Sequence, residues 1–138
     1  MGCRSLILLD THCLVWMDQA VERVGRSARH LADAAVATGD LAISAISFWA
    51  VALLVRKGRL RLRQSLAIWR RDLLARGVVE LPLGGATCIA AARLENFHRD
   101  PADRLIVASA QELGATLLTA DEKILAWPGR VDRRDARV

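Results

Sequence analysis

The feature that most constrains this chain is an alternation: short apolar runs of strand length are separated by longer stretches with helical periodicity. The first run, LILL at residues 6–9, lies in a segment read as a strand over residues 5–9, and it stops at Asp10. Residues 11–17 follow as a short helix. Residues 27–38, rich in Ala and Leu, give a second helix closed by Gly39, and residues 41–44 a second strand. A third helix continues to about Lys57, where Gly58 stops it. The pattern goes on with a helix at 64–75, a strand at 78–81, helices at 86–96 and 101–113, a strand at 116–119 and a last helical turn or two at 122–127. Strands that alternate with helices pair in parallel through crossover helices. The expected architecture is a three-layer α/β domain with a central parallel sheet flanked by helices. Residues 1–130 are assigned to that domain. Residues 131–138, Arg-rich and poor in apolar side chains, are read as a basic C-terminal tail.

At 138 residues the chain is long enough for one proper core. Its hydrophobic content is 53%, yet no apolar run approaches the ~20 residues of a membrane span. No basic leader with a following cleavage site is visible, so a soluble cytoplasmic protein is expected. The cysteines, Cys3, Cys13 and Cys88, are odd in number and lack ligand spacing, which argues against a disulfide framework or a zinc site. Cys13 and Cys88 read as small buried hydrophobes. A net charge of +5 and an isoelectric point near 10.0 favour an anionic partner. Arg56, Lys57, Arg59, Arg61 and Arg63 cluster within eight residues, and Arg70 and Arg71 follow. The same cluster also reads as a solvated face with basic helix ends.

In open parallel sheets, ligands collect outside the carboxyl ends of the strands. Asp10 ends the first strand, Asp121 lies two residues beyond the last, and Asp100 and Asp103 open the helix between them in HRDPADRLIVASA. Each also suits a helix start: Asp is a favoured N-cap, Pro101 fits the first helical position, and an acid in the first turn complements the dipole. Several carboxylates converging on one sheet edge would repel one another unless cations lay between them. Hard oxygen donors around Mg2+ or Mn2+ are how a site for phosphodiester hydrolysis is built. His12, His30 and His98 have no ligand spacing. Trp16, Trp49, Trp69 and Trp127 could stack bases, but among aliphatic neighbours they read as core or dimer contacts. Gly84 and Gly85 read as a turn. A phosphoacceptor receiver domain also gathers acids at strand ends, but it wants paired acids after the first strand, where Thr11 and His12 stand.

LILLDTHCLVWM, ISAISFWAVALLVRKGRL and DPADRLIVASAQELGATLLTAD, in that order and over nearly the whole chain, resemble the PIN-domain ribonucleases, in particular the VapC-type toxins of toxin-antitoxin pairs. The resemblance implies a PIN fold, Mg2+- or Mn2+-dependent cleavage of RNA, a homodimer and inhibition by a small antitoxin. It matches Asp10, Asp103 and Asp121 to metal-site acids, Thr11 and Thr119 to flanking hydroxyls, and Asp100 to a cap or supporting group. Arg56, Arg59 and Arg61 become candidate contacts for RNA or antitoxin. One position departs from the pattern. Where the family carries Glu after the SFW segment, this chain has Ala50, and residues 42–56 contain no acid to replace it. Ala preserves the helix, so the expectation is an intact scaffold with a weakened or inactive nuclease site. The alternative is a non-catalytic PIN-fold module that binds RNA or antitoxin.

Overall fold

A computed structural model describes residues 6–138; Cys3 and the expected strand start at Ser5 lie outside the described residues. The first strand, β1 (Ile7–Leu9), is buried along its whole length and leads through Asp10 into α1 (Thr11–Gln19). A single 3-10 turn at Val21–Arg23 precedes α2 (Arg26–Ala37), and β2 (Leu41–Ser44) runs directly into α3 (Ala45–Arg56). Then come α4 (Leu66–Ala75), β3 (Val79–Leu81), α5 (Gly85–Ala92), α6 (Pro101–Leu113), β4 (Thr116–Thr119), α7 (Glu122–Leu125) and β5 (Arg133–Asp135). All pairings are parallel, in the order β3-β2-β1-β4-β5.

The sheet is covered on both faces, as a parallel sheet requires. Side chains alternate along each strand. Leu8, Ala42 and Leu117 face a layer built from Ile106 and Val107 of α6 and Ile124 of α7, with Phe97 and Trp127. Ile7, Leu9, Leu41 and Ile43 face the other layer, which contains Leu14 of α1, Ala28 and Ala32 of α2, Val51 of α3, and Trp69 and Leu73 of α4. Each such Leu or Ile, fully buried, contributes about 1.5–3 kcal/mol relative to exposure. The connections leave β1 toward β2 and β3 on one side and return to β4 and β5 on the other. The reversal falls between β1 and β4, where an open sheet forms its ligand crevice. Asp10 and Thr119 stand at the carboxyl ends of those two strands.

Three expectations are corrected. Residues 131–138 are no tail: β5 pairs with β4, with Leu117 opposite Arg133 and Thr119 opposite Asp135. Polar anchors replace apolar ones in this strand. Arg133 donates to the carbonyls of Ile124 and Gly129, and Arg137 pairs with both Asp135 and Glu122. Beyond β5, Ala136 is wholly buried, and the carbonyls of Ala136 and Val138 accept from the amides of Gly25 and Ala28 at the start of α2. The helix expected over 86–96 stops at Ala92. Arg104 draws the carbonyls of Ala91, Leu94, Phe97 and His98 toward its guanidinium, and Asn96 turns the chain with φ +57°. Cys88 is exposed, because α5 turns it outward; Cys13 is buried as expected. Among the tryptophans, Trp69 and Trp127 are core, Trp16 is partly buried, and Trp49 on α3 is 50% exposed.

Candidate metal centre

Asp10 does two jobs at once. Its Oδ1 accepts from the Cys13 amide at 2.8 Å and caps α1, while Oδ2 accepts from the Thr119 hydroxyl at the end of β4. Thr119 Oγ1 in turn accepts from the Asp121 amide at 3.0 Å. A chain of hydrogen bonds therefore runs from β1 to β4 to the start of α7. Asp121 repeats the pattern, with Oδ1 capping α7 through the Lys123 amide at 2.8 Å. Asp100 caps α6 by accepting from the Asp103 amide at 3.2 Å, with Pro101 beginning the helix. Asp103, in the first turn, is left free of capping. Helix capping and a converging acid cluster are thus compatible here, because a carboxylate has two oxygens and a cap occupies one.

The acids crowd one another. Burial first, then the charges of Asp100, Asp10 and Asp121 and a hydrogen bond with Asp121, push the Asp103 carboxyl up to about 7. Burial also raises Asp10, against the lowering effect of its bonds to Thr119 and the Cys13 amide. The Cys13 thiol is raised as well, by burial and then by Asp10. Donor atoms of His98, Asp103 and Asp121 all lie within 4.8 Å of one another. Asp10 is outside that trio and forms the adjoining wall. A shallow cleft of about 130 Å³ is lined by Asp10, His12, Trp16, Ala120 and Asp121. It borders a larger one of about 560 Å³, lined by His12, His98, Arg99, Asp100, Asp103, Asp121 and Lys123.

Thr11 donates to Ser47 of α3 at 3.1 Å in a buried bond. Ala50 is one helical turn beyond Ser47 and shares its face of α3. The basic cluster is more remote. Arg61 and Arg63, with Leu62, Gln64, Trp69, Asp18 and Gln19, line a groove of about 650 Å³. Asp18 closes the far end of α1, about 12 Å along the helix from Asp10. Arg56 and Arg59 are exposed in the same region, at the end of α3 and in the turn after it. The cations that border the acid cleft are instead Arg99 and Lys123.

Ser47 and Arg104 are site features that the sequence reading passed over, and His98 is one it set aside for want of ligand spacing. Ser47 carries a signal, a lone hydroxyl on an apolar helix one turn before Ala50. His98 carries none, since its approach to the acids depends on how residues 92–100 turn.

Residues 7–128 match the PIN domain family. The chain belongs to the PIN-domain family. It is 33% identical over 122 residues to Ribonuclease VapC22 of Mycobacterium tuberculosis, covering 87% of this chain and 90% of that protein. Its fold is similar to that in the crystal structure of VapBC2 from Rickettsia felis bound to a promoter DNA fragment: TM-score 0.69, 16% identity, covering 94% of this chain and 99% of that one. It is similar also to the FitAcB structure from Neisseria gonorrhoeae: TM-score 0.60, 17% identity, covering 95% and 98%. In this PIN domain the family match ends before β5, so the last strand and the clamp on α2 lie outside the matched segment.

Proposed function

We propose that this PIN domain is a VapC-type endoribonuclease toxin of a toxin-antitoxin pair, dependent on Mg2+ or Mn2+ and weakened by Ala50. The observation that carries this reading is the convergence of Asp103, Asp121 and His98 donors within 4.8 Å beside Asp10, at the switch point of the parallel sheet. The residues fit a divalent cation. His98 Nε2 is buried without a hydrogen-bond partner among the described residues, and Asp103 is crowded by acids whose repulsion a cation would offset. Asp10, Asp103 and Asp121 would hold the ion. A bound cation supplies Lewis-acid polarisation of the phosphate and lowers the pKa of an attacking water.

The chain's own residues do the rest. Thr119 fixes the rotamer of Asp10 and, through the Asp121 amide, the start of α7. Thr11 and Ser47 tie α1 to α3. Arg99 and Lys123, on the rim, offset the charge of an RNA backbone entering the cleft. The remoter groove with Arg61 and Arg63 suits an acidic or amphipathic antitoxin segment, flanked by Arg56 and Arg59. The half-exposed Trp49 on α3 fits a homodimer contact. No helix among the described residues is long and apolar enough to cross a membrane, and a cytoplasmic location agrees with an RNA substrate. Ala50 favours one second reading, a non-catalytic module that occupies RNA or antitoxin. Incubation with a mixed RNA pool decides between them: fragments that form with Mn2+ and not with EDTA support the nuclease.

A further inference from the structure

We propose that His98 is itself a ligand of the cation, so that the centre is a mixed nitrogen and oxygen site that prefers Mn2+ or Co2+ to Mg2+. This rests on the metal-dependent reading above and adds to it a ligand and a selectivity that three acids alone do not imply. The geometry is specific. His98 Nε2 lies 3.2 Å from Asp103 Oδ2, yet it is buried with no hydrogen-bond partner among the described residues, so the contact is close without being directed as a hydrogen bond. A buried ring nitrogen without a directed hydrogen bond is costly. A cation held jointly by Asp103 and Asp121 gives it a partner, because the donor atoms of all three fall within 4.8 Å of one another.

The surrounding structure holds the ring in that position. The imidazole stacks on Phe97 with ring centroids 4.5 Å apart, and Phe97 packs edge-on against Trp127 at 5.3 Å. The Arg104 guanidinium binds four carbonyls, that of Ala91 at the end of α5 and those of Leu94, Phe97 and His98 itself in the loop. Arg104 follows Asp103 in the sequence, so one turn of α6 carries both an acid and the clamp that aims the imidazole at it. Imidazole is a good ligand for transition metals and a poor one for Mg2+, which takes oxygen donors and retains water. His12, exposed on the rim, is the other imidazole near the cleft and serves as the control.

Electron spin-echo measurement on the full chain loaded with Mn2+ alone reads imidazole nitrogen directly, and calorimetry gives the affinities for Mn2+, Co2+ and Mg2+. Nitrogen modulation should be present in the unaltered protein and in His12→Phe. It should vanish in His98→Phe, which keeps a ring for the stack, and in His98→Gln. Mn2+ should bind about tenfold or more tightly than Mg2+, and either His98 variant should lose most of that margin. Mn2+ binding that Asp103→Asn abolishes but that shows no nitrogen modulation, or modulation that survives in both His98 variants, overturns the role of His98 and leaves the acid site standing. Absence of Mn2+ binding in the unaltered chain overturns both.

Discussion

Asp103 carries the strain of the site. Its carboxyl is raised from 3.8 to about 7 in the folded chain. A raised folded value means that the native state holds the proton longer than the unfolded one. The associated stability is therefore full below pH 4 and lost as pH rises through 7. The metal-free protein should weaken across that interval by at most about 4 kcal/mol, as read by urea melts in EDTA at pH 4.5 and 7.5. Asp103→Asn should flatten the dependence; an unchanged slope in that variant counts against the crowding. Asp10→Asn keeps an oxygen for the Cys13 amide while removing a neighbouring charge. Its metal-free melting temperature should match or exceed that of the unaltered chain, with a smaller rise in excess Mn2+; a drop of several degrees without metal would contradict this. These acids were legible in the sequence because each stands at a strand end or helix start, where topology alone brings side chains together. His98 was not, because its position depends on the left-handed Asn96 and the Arg104 clamp, neither of which follows from spacing.

At the scale of elements, the helix starts separate two roles that one residue type can play. Asp100 caps α6 and lines the cleft outside the donor trio, whereas Asp121 both caps α7 and belongs to that trio. Asp100→Ala should cost about 1 kcal/mol and leave the Mn2+-induced rise in melting temperature intact. Asp121→Ala should cost a similar amount and also diminish that rise. Equal metal responses in the two variants would place Asp121 among the caps alone. The buried strands were readable because LILL, LAIS and TLLT are short apolar runs bounded by polar or turn residues. The end of α5 was not, since residues 93–96 remain compatible with a helix until Arg104, from a later helix, takes the carbonyls of Ala91, Leu94, Phe97 and His98.

Across the whole molecule, the C-terminal residues close the fold. A Cβ on Gly25 would lie 2.0 Å from the Val138 carbonyl carbon, so only glycine lets the C-terminal backbone reach the start of α2. Gly25→Ala should destabilise by about 1–3 kcal/mol through displacement of residues 136–138; a neutral effect in thermal melts would show the clamp to be dispensable. Sequence gave no sign of this closure, because β5 reads RRD and an edge strand held by arginine bonds has no apolar period to detect. The acid-bearing half of the site and the basic groove, by contrast, both stood out in the sequence, and the fold separates them by the length of α1. What joins these scales is the proposed cation site and its relation to Ala50, on the face of α3 that Ser47 ties to α1. The most direct measurement is cleavage of a mixed RNA pool by the Ala50→Glu variant beside the unaltered chain, with Mn2+ or with EDTA. The expected result is cleavage at least about tenfold faster in the Glu variant, a gain of roughly 1.4 kcal/mol in transition-state stabilisation, lost in EDTA and lost again when Asp103→Asn is added. A Glu variant no faster than the unaltered chain with Mn2+, or cleavage that persists in EDTA, would contradict the metal-dependent nuclease.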